Sequence, residues 1–136
     1  MSSFITNHRE QVINLVKKKL EQKPIYIDTE TTGLNRSDEI IEISIVDFDG
    51  SLLFSKLVTP SQSIPWEAEK IHHITNDMVR SAQPWPIIWP QVRSLLYGRV
   101  IVAYNASFDQ RMMEQSHARY RLPWREKFDF LDELPY

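Results

Sequence analysis

Cysteine is absent from the 136 residues. That excludes disulfides, a thiolate nucleophile and cysteine-ligated zinc, and it leaves the redox compartment unmarked by thiols. A strong charge of either sign is also missing: 16 Lys and Arg stand against 18 Asp and Glu, for a formal net charge of −2. A broad basic surface for gripping long duplex nucleic acid is therefore excluded. Any nucleic-acid contact has to be local, such as a short single-stranded end held by metal ions, backbone amides and apolar side chains. No apolar run is long enough to span a bilayer, and the opening residues lack a cationic segment followed by an apolar signal core. The default expectation is a soluble cytoplasmic protein with no membrane association. With 42% hydrophobic and 25% charged residues, the chain can bury one real core and fold as one compact domain.

What is present is organised around Ile25 to Leu34, the stretch I-Y-I-D-T-E-T-T-G-L. It starts as a short β-prone apolar run after Pro24 and ends abruptly in acid, hydroxyl and glycine. Side chains alternate along a strand, so Asp28 and Glu30 emerge on one face. Two carboxylates held together at the end of a buried strand repel each other, and the stretch contains no lysine or arginine. A hard divalent cation, magnesium or manganese, resolves the conflict and can present the pair to a substrate phosphate. The plain alternative for D-x-E alone is a surface strand end with two solvated acids. Gly33 in the following T-T-G-L allows close approach of a ligand.

In chain order, Phe4 to Glu21 reads as an amphipathic helix with Asn7 as its cap and Glu10 at the third helical position. Its apolar stripe is Val12, Ile13, Leu15, Val16 and Leu20, and Lys17 to Lys19 form a solvated face near the C-terminal end of the dipole. Residues 1–23 are thus an N-terminal helix ahead of a second unit at 24–136. A second strand, Ile40 to Phe48, a turn at Asp49-Gly50 and a third strand, Leu52 to Val58, make three adjacent antiparallel strands. A short helix from Trp66 to Ile71 precedes His72-His73-Ile74-Thr75. The paired histidines lack cysteine partners, so packing or hydrogen bonding is favoured over zinc. Asn76 is expected to cap a short helix through Val79. Pro90 fits the first position of a helix ending before Gly98. Trp85 and Trp89, among prolines, are expected in the core rather than stacked on bases.

Val100 to Tyr104 is a second strongly apolar strand, and it runs directly into N-A-S-F-D at Asn105 to Asp109. A helix follows towards Arg121 with Asp109 in its first turn, where a carboxylate is favoured by the helix dipole. Acid delivered at the end of an apolar strand repeats the pattern of the first. Adjacent strand ends would place Asp109 opposite Asp28 and Glu30.

Y-I-D-T-E-T-T-G-L at Tyr26 to Leu34, I-H-H-I-T at Ile71 to Thr75 and V-A-Y-N-A-S-F-D at Val102 to Asp109 together resemble the motifs of the DEDD superfamily of 3′→5′ exonucleases. The resemblance is to bacterial proteins similar to the proofreading subunit of DNA polymerase III, which act in DNA replication and repair. His73 stands where the family usually has glycine. The resemblance implies an α/β fold, a ribonuclease-H-like mixed sheet flanked by helices. It implies that Asp28, Glu30 and Asp109 are catalytic and ligate two divalent metal ions, Mg2+ or Mn2+. It implies that Thr31, Leu34, His72, Asn105 and Phe108 border the substrate. It further implies a single-stranded nucleic-acid 3′ end as substrate and a DNA polymerase subunit as a partner. The family's later H-x4-D, which supplies the base and the fourth acid, does not follow Asp109 here. Of the four histidines, only His72 has an aspartate at that spacing, Asp77, and it precedes Asp109. Asp129 and Asp132 lie where the family begins another strand and helix, and neither is assigned a role. The expectation is therefore an exonuclease domain that is C-terminally incomplete, with weak or no activity on its own. The competing class is a non-catalytic nucleic-acid- or polymerase-binding module. Were the chain nevertheless active, His72 and His117 would be the first residues to test as a base.

Overall fold

Residues 3–132 are described by the computed structural model, the side chains of residues 3–8, 16 and 19 excepted. The order is α1 (Ser3–Glu21), β1 (Ile25–Thr31), β2 (Ile40–Val46), β3 (Leu52–Thr59), α2 (Trp66–His72) and α3 (Asn76–Val79). There follow β4 (Gln83–Pro84), α4 (Trp85–Leu96), β5 (Val100–Ala103), α5 (Ala106–Arg119) and β6 (Asp129–Asp132). The strands form one six-stranded mixed sheet in the order β4-β3-β2-β1-β5-β6. β1, β2 and β3 are antiparallel neighbours, as the alternating patterns and the D-G turn predict. Gly50 adopts φ 88° in that turn, the left-handed region that favours glycine.

β5 pairs with β1 in parallel, Ile25 opposite Ile101 and Tyr26 opposite Val102, and β6 pairs in parallel with β5. Parallel pairing brings the C-terminal ends of β1, β5 and β6 to the same edge of the sheet. One face is covered by α4 and α5, where Ile25, Ile27, Ile43, Ile45, Trp85, Trp89, Val92, Ile101, Met112 and Met113 make the main core. A smaller cluster of Ile41, Ile64, Ala68, Ile74 and Val79 forms with α2 and α3. Ile41 leaves the alternation expected of β2 because the β1–β2 register shifts there: Glu30 faces Glu42, but Thr31 faces Ile40. That bulge aims Ile40 and Ile41 into different clusters, so both are buried. The Ile40 amide bonds the Ser116 hydroxyl of α5 at 3.0 Å.

Several local expectations are corrected. α1 begins at Ser3, so Asn7 lies inside the helix and is not its cap. Val12, Ile13, Leu15 and Leu20 of the expected stripe are exposed. α3 is capped by Thr75, whose hydroxyl accepts from the Met78 amide at 3.1 Å. Asn76 instead uses its side-chain oxygen to accept from the Ile64 amide at 2.8 Å, tying α3 to the preceding loop. Pro90 lies within α4, which starts five residues earlier with Pro86 in its first turn. An interior proline removes a helix hydrogen bond and costs on the order of 3 kcal/mol. Burial of Trp85, Ile88, Trp89, Val92 and Leu96 on one helix outweighs that cost. Trp85 and Trp89 are core residues as expected, 1% and 8% exposed. Among the described residues, no helix is long and apolar enough to cross a membrane.

Candidate active site

Strand alternation turns Ile25 and Ile27 into the core and leaves Asp28 exposed and Glu30 half-buried. Asp109 reaches the same strand end from α5, buried at 7% exposure. It accepts a hydrogen bond of 2.7 Å from the hydroxyl of Thr29, the residue between Asp28 and Glu30. Burial pushes the Asp109 carboxyl up to about 6; the charges of Asp28 and Asp132 push the same way, against the Thr29 bond. Burial also raises Glu30, followed by the charge of Asp28, with His72 opposing and Glu42 across the ladder adding to the rise. Asp28 is thus the carboxylate that acts on both others.

Hard oxygen donors that repel one another suit a divalent cation in chemistry. In position they form no closed cage: among the described residues, no three His, Asp or Glu side chains are disposed to hold a metal ion. Asp109 is committed to Thr29, and drawing the carboxylates closer would raise their mutual repulsion.

Beside Glu30 opens a cleft of about 520 Å³, walled by Thr29 to Asn35, Asp38, the α2 residues Glu67, Ala68, Ile71 and His72, Pro65, and Phe108. Of the substrate contacts expected from sequence, Thr31, Leu34, His72 and Phe108 line it. Asn105 does not; it caps α5, its side chain accepting from the Phe108 amide at 3.4 Å. Asp28 and Asp109 stand at the strand end outside the cleft lining. Leu34 and Ile71 are 74% and 79% exposed, so large apolar side chains stand open at a wall that also holds Glu30.

His72 has both ring nitrogens engaged. Nδ1 lies 3.0 Å from the Ile74 amide and can only accept from it. Nε2 therefore carries the proton and donates to the Thr31 carbonyl at 3.1 Å. The ring ties α2 to the end of β1, in keeping with hydrogen bonding rather than zinc. Asp77, at the misleading H-x4-D spacing, is exposed and pairs with Arg80. His73 takes φ 61° as the C-cap of α2, the left-handed position where glycine is at ease.

Gly33 has a different reason from the one its sequence setting suggests. A Cβ there would stand 2.5 Å from a carboxylate oxygen of Asp38, so the close neighbour is the protein itself. Asp38 accepts from the Thr32 hydroxyl and the Asn35 amide, both at 2.8 Å, and the Gln115 side chain of α5 donates to the Asn35 and Asp38 carbonyls. This network sets the loop that carries Leu34. Sequence reading missed Asp38 and Gln115, and it missed Asp132, whose carboxylate accepts from the Ala106 amide at 2.6 Å.

The sequence matches the RNase_T exonuclease family over residues 25–136. The chain belongs to this exonuclease family. The chain is 44% identical over 106 residues to the uncharacterized exonuclease CP81 of Escherichia phage 186, covering 78% of this chain and 55% of that protein. It is 43% identical over 86 residues to the DNA polymerase III epsilon subunit of Treponema pallidum, covering 60% of this chain and 40% of that one. It thus spans about half the length of these relatives. Among solved structures, exonuclease X in complex with 5′ overhanging duplex DNA superposes with a TM-score of 0.55 at 40% identity, over 65% of this chain and 52% of that one. The six-stranded mixed sheet with its helices is the ribonuclease-H-like fold of DEDD exonucleases, a family that uses divalent metals.

Proposed function

We propose that the domain is a metal-dependent 3′→5′ exonuclease acting on single-stranded nucleic-acid 3′ ends, with Asp28, Glu30 and Asp109 as ligands for two divalent ions, Mg2+ or Mn2+. The observation that carries this reading is one sheet edge where the end of β1 and the first turn of α5, which follows the parallel β5, bring these acids beside an apolar-walled cleft. When bound, the metals supply an activated water and stabilise the departing 3′ oxygen. The protein's own residues do the rest. Thr29 holds Asp109, and Leu34, Ile71 and Phe108 offer apolar walls to a terminal base. His72 braces Thr31, so it shapes the cleft rather than taking a proton.

Neither histidine considered as a substitute base is free for that task. His117 is 3% exposed and enclosed by Trp85, Trp89 and Trp124. The reading therefore includes weak or no turnover by the 136 residues alone, because no H-x4-D follows Asp109 in them. A general base contributes on the order of 10²–10⁴-fold. It also includes residues 1–23 as an N-terminal helix ahead of the catalytic unit at 24–136, a cytoplasmic setting, and association with a DNA polymerase in the manner the epsilon relative's name suggests.

The test is mononucleotide release from a 3′-labelled oligonucleotide with Mg2+ or Mn2+, with and without an appended H-x4-D segment. Slow release that the segment restores and Asp28→Ala abolishes is the expected result. Oligonucleotide binding without turnover, unchanged by Asp28→Ala even with the segment, would instead establish a non-catalytic binding module.

A further inference from the structure

We propose that Asp132 is a positioning residue for this site: its carboxylate fastens the first amide of α5 and so fixes where Asp109 stands at the end of β1. The inference rests on the metal-ligand reading of Asp28, Glu30 and Asp109.

A helix leaves its first amides without partners inside the helix. At α5 the local cap is poor. Asn105 has φ −135° and ψ 87°, and its side chain reaches the Phe108 amide only at 3.4 Å. The Ala106 amide is served from 26 positions away, by the Asp132 carboxylate at 2.6 Å, and a bond to an ionised acceptor is stronger than one between neutral groups. Ala106 is 5% exposed, so water is poorly placed to take over.

The topology explains why Asp132 can do this. β6 runs parallel to β5 with Asp132 opposite Ala103, the last residue of β5. There the chain turns through Tyr104 and Asn105 into α5. Ala106 and Asp109 lie three residues apart on one side of the first turn, so an anchor on the former limits the swing of the latter. Asp109 is held from the other side by Thr29 at 2.7 Å. Two tethers, one from each neighbouring strand end, keep a buried carboxylate at the edge that Asp28 and Glu30 occupy. Supporting bonds of this sort, one step removed from a metal, are worth about 10–100-fold in metal affinity when lost.

The experiment compares Asp132→Ala with Asp132→Asn in the whole 136-residue chain. Asparagine keeps the accepting oxygen and removes the charge. Mn2+ affinity is measured by calorimetry, and exchange of the Ala106 amide by NMR. The expected result is affinity about tenfold or more weaker in Asp132→Ala, whose melting temperature falls by a few degrees as the buried amide loses its partner, and near-wild-type affinity in Asp132→Asn. Amide exchange should accelerate in the alanine variant alone. Asp132→Leu repeats the comparison if the alanine variant fails to fold.

Wild-type affinity in Asp132→Ala would overturn the proposal, and so would equal losses in both variants, which would mark the charge as a direct ligand. Asp28→Ala separates this from the underlying reading. If wild type binds no Mn2+, or Asp28→Ala binds as well as wild type, the metal site itself fails. Unchanged amide exchange in Asp132→Ala then still refutes the anchor on its own.

Discussion

Replacing Asp109 by asparagine should stabilise the metal-free protein at neutral pH, although it removes a residue on which the proposed chemistry depends. The buried carboxyl ionises at about 6 instead of the usual 3.8, chiefly because burial penalises its charge. At about 1.4 kcal/mol for each tenfold, the folded chain carries an ionised Asp109 at a cost of about 3 kcal/mol. Between these two values the native state holds the proton more tightly than the unfolded chain. Stability from this group is therefore present in acid and lost as pH rises through about 6. Asparagine is neutral, nearly the same shape, and its oxygen can still accept from the Thr29 hydroxyl. The gain should approach 3 kcal/mol at pH 7, or about 10 °C in melting temperature for a domain of this size, and shrink to about 1 kcal/mol at pH 4.5. Thermal melts with chelator at both pH values measure it. A lower melting temperature for Asp109→Asn at pH 7, or the same gain at both pH values, would refute the account of the buried charge.

The metal side of the same balance predicts that Mn2+ raises the melting temperature of wild type, by an amount equivalent to about 2.7 kcal/mol at a hundred times the dissociation constant, and does nothing for Asp28→Ala. Melts unmoved by millimolar metal would count against the three acids as ligands. Gly33→Ala should destabilise by about 1–3 kcal/mol in urea unfolding, because the new Cβ meets an Asp38 carboxylate already tied to Thr32 and Asn35; no change would mean that the loop yields freely. His117 is held below its usual 6.5 mainly by burial, so its contribution is complete above that pH and is lost as pH falls below it. In the Asp109→Asn background, melting should decline in mild acid, and adding His117→Gln should remove the decline; an identical acid dependence with and without His117 would contradict this.

Features that depend on neighbours in sequence were legible before the fold was known. The acids of β1 follow from alternation, the hairpin from Asp49-Gly50, and the buried β5 from four consecutive apolar residues. Thr31, Leu34, His72 and Phe108 were legible only through the motifs that carry them, yet all four line one cleft. What was missed has a common physical origin in partners far apart in the chain. The bulge at Ile41 is a choice between two cores, which a pattern of period two cannot express. Pro90 suits a helix start in sequence because its local cost inside a helix is large, and the burial that overrides it depends on residues of β2, β3 and α5.

Buried or short polar contacts were the least legible, since a carboxylate looks the same in sequence whether it faces water or a partner. Glu39 is 2% exposed, yet it is satisfied by the Ser61 amide and hydroxyl, both at 2.7 Å, and approached by Arg119 at 3.5 Å. Asp38 and Asp132 are likewise occupied with backbone amides at loop and helix ends. Asp28 differs: its charge raises both Glu30 and Asp109, whereas Asp132, equally exposed, raises Asp109 alone and bonds a helix amide. A fold gains nothing from that repulsion, whereas a site for cations needs it. The acids to be assigned to chemistry are therefore those whose neighbours leave them in conflict, and the acids to be assigned to architecture are those whose neighbours satisfy them.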